Sequence, residues 1–413
     1  MNKAQGSAPA FHYGWVIVPA GTLCIMACLG FGRFALGMLL PSMASTLKLS
    51  YSEMGFISTA NFLGYLVSVL VSGFLVARVG SRRLIFGALL LVGVSMALIS
   101  RAHGFFYVML LYTLTGIGSG ATNIPVMGLA SAWFTSRKRG KAAGFIVIGS
   151  GFAIIISGKL IPYINRIYGA EGWRTSWLLL GGCVLAIAFA GYLLIRDRPE
   201  DKGLKPVGYE ETSAANRHSP ERQAAPIYGE KIIYYLGMIY FLFGYTYVIY
   251  ATFIVTTLVK ERGFSESVAG DFWAWVGFLS LFSGPVFGTL SDRLGRRTGL
   301  IIVFLFQMTS YLLAASGLPG IFLYLSIGFY GIVAWSIPSI MAAAMGDYVG
   351  VRRAATAFGL VTFIFGFGQI AGPAVAGMLA EKTGSFSSSF LMAAVFAAAA
   401  VILTAFLKKP KQA

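Results

Sequence analysis

The chain has 413 residues, of which 57% are hydrophobic and only 11% are charged, and its net charge is +17. Because a soluble domain carries roughly 25% charged residues, this composition excludes a water-soluble globular protein and indicates a membrane protein. The basic excess does not favour nucleic-acid binding, since Lys and Arg lie in short segments between apolar runs and form no cluster on a soluble face.

Long apolar stretches follow one another along the whole chain. Each contains roughly 17 to 29 residues, and a helix needs about 20 to cross a ~30 Å hydrocarbon layer. The sequence therefore predicts an all-α membrane protein whose twelve transmembrane helices cover 15–43, 53–76, 84–100, 106–134, 142–162, 176–195, 232–258, 272–290, 298–317, 320–345, 356–379 and 387–407.

The basic residues between these stretches predict the orientation. Lys and Arg are concentrated in every second connection, as in "RKRGK" at 137–141, and the other connections hold few. By the positive-inside rule both termini are cytoplasmic, which predicts a multi-pass protein of a bacterial inner membrane in contact with lipid. The first apolar run is too long for a cleavable signal peptide.

One polar segment divides the chain. Residues 197–230 carry charges of both signs and four prolines, as a solvated linker does. The predicted organisation is an N-terminal six-helix bundle at 1–196, a cytoplasmic linker at 197–230 and a C-terminal six-helix bundle at 231–413.

The two halves are predicted to be pseudo-symmetric repeats, because similar residues recur at a nearly constant spacing. The pairs, 213 to 215 positions apart, are Glu53 and Glu266, Gly73 and Gly288, Arg82 and Arg296, and Pro125 and Pro338.

Two connections, "GFLVARVGSRR" and "GTLSDRLGRR", resemble the repeated loop of the major facilitator superfamily. The resemblance covers the whole chain and implies secondary transport by alternating access. It also implies that these loops latch one conformation of the bundle. Ala77 replaces the acid of the first copy. The implied latch residues are Gly73, Arg78, Gly80, Arg83, Gly288, Asp292, Arg293, Gly295 and Arg297.

Three short motifs are similar to bacterial transporters of the monocarboxylate and oxalate–formate type: "HYGW" at 12–15, "GWR" at 172–174 and "GFGQIAGP" at 366–373. Monocarboxylate transporters of this type carry an arginine in helix 8 with an acid one turn earlier. Gly284 and Ser280 occupy those positions here, so the resemblance does not imply that lactate is the substrate.

Arg33 is the one charge within "LGFGRFALGMLLPS", residues 29–42. A charge in a membrane helix costs about 2.5 kcal/mol or more, so it must face a wet cavity or a partner. Small residues, Gly30 and Gly37, flank it on the same helix face and leave room for a ligand or for close helix packing. Three roles remain open: binding an anion through its planar fork, a structural pair with Asp271, or snorkelling to the boundary.

Further polar and aromatic residues are predicted to complete a substrate site between the halves, near the middle of the membrane. Each aromatic residue is also compatible with core packing or an interfacial belt. These candidates are Asn123, Tyr245, Tyr247, Tyr330, Trp335 and Gln369, with Tyr250 crowding the same stretch as the first two tyrosines.

Asp271 is the only acid that the pattern places inside the membrane, and it is the candidate for proton coupling. Burial would raise its proton affinity and a nearby arginine would lower it. The alternative is an exposed carboxylate stabilised by the start of its helix. Lys159, near the outer end of the fifth stretch, is expected to snorkel.

The sequence predicts a secondary active transporter of a small organic anion, a monocarboxylate, by alternating access with proton symport. It predicts a monomer, no cofactor, no metal site and no enzymatic activity, since Cys24, Cys28 and Cys183 lie in apolar runs and no nucleotide-binding loop occurs. Two alternatives stay open: an exporter of amphipathic or neutral molecules, and a non-transporting membrane sensor of a ligand.

Overall fold

The computed structural model describes residues 12–209 and 227–408 and is almost entirely helical. The chain termini and residues 210–226 of the predicted linker lie outside the described residues. Twelve long helices are described: α1 Gly14–Thr46, α2 Tyr51–Val79, α3 Ser81–Ile99, α4 Phe105–Trp133, α5 Ser136–Tyr168, α6 Gly172–Leu194, α7 Lys231–Glu261, α8 Glu266–Leu294, α9 Arg296–Ala315, α10 Ile321–Val349, α11 Val351–Thr383 and α12 Ser387–Ala405.

The predicted twelve helices are confirmed among the described residues. Eleven segments are long and apolar enough to cross a membrane, and one of them, Arg137–Leu194, contains both α5 and α6. The short turn Gly169–Glu171 separates these two helices. Several helices extend beyond their apolar stretches, because polar and basic residues at a helix end can lie at the level of the headgroups.

The repeat is visible in matched helices, but three of the four landmark pairs of the sequence comparison are out of register. One of the three is Arg82, which lies two residues after the positive-φ Gly80, whereas Arg296 lies one residue after the positive-φ Gly295. Helices α2 and α8 both have 29 residues. Ser50 caps α2 by accepting from the Glu53 N–H, and Ser265 caps α8 by accepting from the Val268 N–H. Glu53 is therefore not the structural counterpart of Glu266. Likewise α4 and α10 both have 29 residues, with Pro125 and Pro338 at different depths.

The two loops that carry the family motif share one backbone turn. Gly80 has φ +83° and ψ 158°, and Gly295 has φ +87° and ψ 151°. This region of positive φ strains any residue that carries a Cβ, so glycine is required at both turns. The turns end α2 and α8 at equivalent points, which is the local basis of the repeated motif.

Helix α1 is irregular at its centre. Residues Met26–Phe34 form a π-helical segment between two α-helical parts. Helix α10 is interrupted at Ala334 and Trp335, between Ile321–Val333 and Ser336–Val349. Where the α-helical hydrogen-bond pattern is interrupted, backbone groups lose their partners and side chains point in a different direction. Such interruptions occur often at functional sites. Arg33 and Trp335 lie at these two irregularities.

The helices before residue 195 (the N-half) contact those after residue 230 (the C-half) closely on one side of the molecule. We call this the far side; it holds the connections 47–50, 262–265 and 384–386. A β-carbon at Gly55 would lie 2.4 Å from the Pro373 carbonyl oxygen, and one at Gly158 would lie 2.5 Å from that of Gly270. Helices α2 with α11 and α5 with α8 are thus in backbone contact there.

The opposite side, the linker side, holds residues 195–208 and the turns at Gly80 and Gly295. On this side no atom of the described residues lies within 4 Å of the position that a β-carbon would take at Gly73, Gly144, Gly288 or Gly359. These glycines belong to α2, α5, α8 and α11, the same helices that touch on the far side. The described structure is therefore closed at the far side and open at the linker side.

Candidate functional site

Arg33 is the penultimate residue of the π-helical segment of α1 and has only 8% of its surface exposed. The glycines on its helix face serve close packing. A β-carbon at Gly30 would lie 2.0 Å from the Ala153 Cβ, and one at Gly37 would lie 2.6 Å from the Ala251 carbonyl oxygen. Of the two uses predicted for these glycines, the structure supports helix packing, which fixes α1 against α5 and α7.

Aromatic rings of α2 flank the guanidinium of Arg33. Its Cζ lies 4.4 Å from the centre of the Phe62 ring and 4.1 Å from that of the Tyr65 ring. Such contacts stabilise a cation in a dry environment. The edge of the guanidinium that carries Nε and Nη2 is buried, and neither nitrogen has a hydrogen-bond partner among the described residues. That edge is the one that binds a carboxylate through two parallel hydrogen bonds.

No carboxylate neutralises Arg33 within residues 12–209 and 227–408. The acids of these ranges lie in connections or in the first or last two turns of helices. Asp271, the predicted structural partner, instead accepts from Lys159 Nζ at 2.5 Å. Arg33 is also too deeply buried to snorkel, so neither of the two structural roles left open by the sequence is realised.

Two tyrosine hydroxyls, one from each half, belong to the same region. The Asn123 amide donates to the Tyr65 hydroxyl at 2.7 Å, and the Gln369 amide donates to the Tyr247 hydroxyl at 2.5 Å. The Tyr247 hydroxyl also lies beside Arg33. Each hydroxyl accepts from an amide, which leaves its own proton available for an acceptor in the cavity.

A narrow cavity adjoins Arg33 on its far-side flank. Its volume is about 10 Å³, room for one water molecule. Both halves contribute to it, and the Ser58 and Thr252 hydroxyls meet across it at 3.3 Å. Its lining residues are Arg33, Phe34, Leu36, Gly37, Ser58, Asn61, Phe62, Tyr112, Tyr247, Val248, Ala251 and Thr252.

The structure brings together some of the predicted site residues and separates others. Trp335 packs on Phe34 at 5.0 Å between ring centres, so it lies at the Arg33 site. Tyr330 lies behind the site, donating to the Tyr247 carbonyl at 3.1 Å. Tyr245 does not join the cluster, since its hydroxyl contacts the Met392 sulfur of α12.

Sequence reasoning missed the contribution of α2. Asn61, Phe62 and Tyr65 lie beside Arg33 or its cavity, and the Asn61 amide nitrogen donates to the Tyr112 carbonyl at 3.0 Å. Tyr112 in turn donates to the Arg33 carbonyl at 2.9 Å. The available signal was an amide side chain in an otherwise apolar span, with aromatic residues one and four positions later.

Comparison with known proteins identifies the chain. The model of the family described as "Uncharacterised MFS-type transporter YbfB" matches residues 25–405, nearly the whole chain. The chain belongs to the major facilitator superfamily. This confirms the family that the loop motifs indicated, and it confirms that the protein is a membrane transporter and not an enzyme.

Relatives across the superfamily share the full length of the chain. It is 25% identical to the hexuronate transporter of Bacillus subtilis (strain 168), over 90% of each protein. It is 24% identical to the probable sulfoacetate transporter SauU of Cupriavidus necator, covering 94% of this chain and 92% of the relative. Monocarboxylate transporter 2 of Homo sapiens is 24% identical, with 96% of this chain and 87% of the relative covered.

Solved transporters share the fold. The nucleoside transporter NupG superposes with a TM-score of 0.73 at 14% identity, over 96% of this chain and all of that one. A bacterial homologue of the human lysosomal transporter Spinster, inward-facing and occupied, gives a TM-score of 0.72 at 15% identity over 97% of each chain. At these identities the likeness establishes the fold alone.

In this major facilitator superfamily transporter, polar side chains of the N-half and the C-half contact each other on the far side. Lys159 of α5 pairs with Asp271 of α8, and the side chains are 64% and 51% exposed. Asn165 donates to Glu266 at 2.7 Å between the same helices. These polar contacts and the glycine contacts together close the far side. Lys159 was predicted to snorkel, but it forms an ion pair that connects the N-half to the C-half.

The two motif loops differ in their charge partners. In the second loop Arg296 binds Asp292 and, at 2.7 Å, Asp347 of α10. In the first loop Arg78 stacks on Phe74, and Asp197 from the linker accepts from the Arg82 N–H at 2.6 Å. These contacts join no residue of the N-half to a residue of the C-half. The remaining predicted latch residues, Arg83, Arg293 and Arg297, are exposed at the same side.

Proposed function

We propose that this protein is a secondary transporter of small organic anions, a monocarboxylate carrier, in which Arg33 binds the carboxylate. The observation that carries the proposal is the buried edge of the guanidinium, where Nε and Nη2 both lack a hydrogen-bond partner in the part of the chain that the structure describes. A monocarboxylate would supply two acceptor oxygens and the missing negative charge. The Tyr65 and Tyr247 hydroxyls would donate to the same group.

The relatives support the substrate class. Their names state hexuronate, sulfoacetate and monocarboxylates, and each of these compounds carries an acidic group. The arginine and acid that monocarboxylate transporters place in helix 8 are absent from the matching positions, Gly284 and Ser280. We therefore assign the anion-binding role to Arg33 of α1 and not to α8.

We also propose to which side of the membrane the described conformation is open and in which membrane the protein lies. The excess of basic residues on the linker side supports a cytoplasmic linker and cytoplasmic termini, in a bacterial inner membrane. The far side then faces outward and the conformation is inward-facing. The two six-helix halves, at 1–196 and 231–413, would rock about Arg33 with 197–230 as the connection.

The site proposal is tested by a thermal-shift screen of the purified protein. Small monocarboxylates should raise the melting temperature, because a ligand that binds only the folded state stabilises it, and their neutral amides should not. Equal stabilisation by carboxylates and amides would contradict an anion site and favour an exporter of neutral molecules.

The tyrosine hydroxyls are expected to contribute to affinity. Replacing Tyr247 or Tyr65 with phenylalanine removes one donor to the anion, and hydrogen bonds to charged groups contribute roughly 1.5–3 kcal/mol, so binding should weaken about tenfold or more. Tyr245→Phe is the matched control on the same helix as Tyr247, since its hydroxyl faces Met392. If the control weakens binding as much as Tyr247→Phe, the assigned geometry is wrong.

Proton symport remains a proposal, and the Lys159–Asp271 pair gives it a mechanism. Protonation of Asp271 would neutralise its carboxylate and weaken the ion pair with Lys159. Because this pair connects the N-half to the C-half on the far side, its loss would favour opening there. The pair is half-exposed, so its Coulomb energy is modest and a proton can reach it.

Asp271→Asn is therefore expected to abolish accumulation driven by a pH gradient while exchange of labelled for unlabelled substrate continues. Uptake into proteoliposomes with and without the gradient measures both. Glu171→Gln is the control, because Glu171 pairs with Arg174 inside the N-half. Unchanged gradient-driven uptake in Asp271→Asn would remove Asp271 from the coupling mechanism.

A further inference from the structure

Aromatic rings from both halves surround Arg33. The Phe62 and Tyr65 rings of α2 lie against its guanidinium. Every other ring of the set lines the Arg33 cavity or contacts a ring that lines it. We call this set the ring cluster; it consists of Phe34, Phe62 and Tyr65 from the N-half and Tyr247, Trp335 and Phe365 from the C-half.

The rings that α7 and α11 contribute to this region lie nearly parallel to one another. Phe365 and Tyr247 are 6.0 Å apart between ring centres, with 6° between their planes. Phe243 stacks on Tyr247 at 4.8 Å, and Tyr240 stacks on Phe365 at 4.3 Å. Aromatic pairs in offset stacks gain more free energy than the burial of their area alone provides. A flat ring can join such a stack with the same kind of contact, whereas a puckered aliphatic ring cannot.

Few hydrogen-bonding groups at the site are free to bind hydroxyls of a ligand. The Ser58 and Thr252 hydroxyls bond to each other, and the Tyr112 hydroxyl donates to the Arg33 carbonyl. Asn61 uses its amide nitrogen on the Tyr112 carbonyl and has only Oδ1 without a partner among the described residues. A buried hydroxyl without a partner is costly, so the site disfavours a substrate with many hydroxyls, such as a hexuronate.

A substrate reaches Arg33 by displacing part of the ring cluster, since the cavity has room for one water molecule. Trp335 is the ring best placed to move. It is partly exposed and lies at the interruption of α10, and its indole Nε1 has no hydrogen-bond partner among the described residues. When displaced, it loses its ring contacts with Phe34 and Tyr247. A substrate that carries an aromatic ring replaces these contacts, and an aliphatic substrate does not.

We propose that the substrate is an aromatic monocarboxylate, whose carboxylate binds Arg33 and whose ring packs within the ring cluster. The proposal rests on the proposed function of Arg33 as the anion-binding residue. Ligand sites combine an apolar or aromatic lining with a few polar groups that fix the orientation of the ligand. Here those polar groups are the guanidinium edge and the Tyr65 and Tyr247 hydroxyls. Benzoate combines one carboxylate with one aromatic ring and serves as the probe.

Calorimetric titration of the purified protein with matched ligands tests the proposal. Cyclohexanecarboxylate has the charge and the carbon count of benzoate and buries no less apolar surface, so the hydrophobic effect alone would not favour benzoate. Because only benzoate can stack, it is expected to bind about three- to tenfold more tightly than cyclohexanecarboxylate. Glucuronate is expected to bind at least about tenfold more weakly than benzoate, because its hydroxyls would lack partners.

Cyclohexanecarboxylate or glucuronate that binds as tightly as benzoate would overturn the aromatic assignment and leave the anion site intact. The assignment would also be wrong if benzoate did not bind while other monocarboxylates stabilised the protein in the thermal-shift screen. Benzoate and benzamide that bind equally tightly would instead contradict the anion-binding role of Arg33. The failure of the proposal and the failure of the proposed function are therefore distinguishable.

A single substitution tests the ring contact independently. Trp335→Leu should bring the affinities for benzoate and cyclohexanecarboxylate close together, while the preference for benzoate over benzamide persists because Arg33 is intact. Phe329→Leu is the matched control on α10, since the Phe329 ring packs on Phe306 of α9 at 5.3 Å between ring centres. An unchanged benzoate preference in a folded Trp335→Leu protein would contradict the assigned ring contact. The wild-type affinities decide the question if the variant does not fold.

Discussion

Replacing Arg33 with alanine is expected to abolish transport. The substitution removes both hydrogen bonds and the charge that would hold a carboxylate, and each charge-assisted bond contributes roughly 1.5–3 kcal/mol, so affinity should fall by at least about a hundredfold. Arg33→Lys should restore little, because an ammonium lacks the planar two-pronged edge. Uptake into proteoliposomes is the measurement.

The Arg33→Ala protein should remain folded, since deleting an unpaired intramembrane charge removes a cost and breaks no ion pair. Arg166→Ala is the control: Arg166 is exposed near the end of α5, 5.6 Å from the centre of the Tyr163 ring, and has no part in the site. Wild-type transport by Arg33→Ala would contradict the anion-binding role. Collapse of the protein would point to a structural role for the charge.

Gly270→Leu is the second substitution with a large expected effect, because it should stop the transport cycle without touching the site. A β-carbon at Gly270 would lie 2.1 Å from the Gly158 carbonyl oxygen and 2.7 Å from the Pro162 Cγ. A leucine there cannot fit while the far side is closed. The conformation open at the linker side would be lost, and with it both exchange and net transport.

Transport and ligand-induced thermal stabilisation, measured together, separate this effect from a loss of binding. Stabilisation by the monocarboxylate should persist in Gly270→Leu, because the far-side-open conformation still presents Arg33. Gly182→Leu is the matched control, since no atom of residues 12–209 and 227–408 lies within 4 Å of its β-carbon position in α6. Wild-type exchange by Gly270→Leu would show that this helix contact is not required for the cycle.

The number of helices and the position of Arg33 within a membrane-spanning helix were accessible from the sequence, because both follow from the cost of placing charge in hydrocarbon. The rotation of each helix was not accessible. Tyr245 and Tyr247 lie two positions apart on α7, yet only Tyr247 lies beside Arg33. In a helix that is apolar on every side, no hydrophobic pattern distinguishes the face toward the cavity from the face toward other helices or lipid.

The contacts between particular helices also could not be predicted from the sequence. Lys159 and Asp271 are 112 residues apart, and nothing local to either residue indicates the other. The repeat was recognised, but its register was wrong at Glu53, Arg82 and Pro125, because similar residues need not occupy equivalent depths in two diverged halves. Helix caps and the positive-φ glycines fix the register, and they become visible only with the backbone.

Calorimetric titration of the wild-type protein with a monocarboxylate and with the amide of the same acid tests the central claim most directly. The two ligands have nearly the same shape and differ in the charge that Arg33 would bind. We predict that the carboxylate binds at least about tenfold more tightly than the amide, and that Arg33→Ala removes this difference. Equal affinities of the wild-type protein for the two ligands would contradict the assignment of Arg33 as the anion-binding residue.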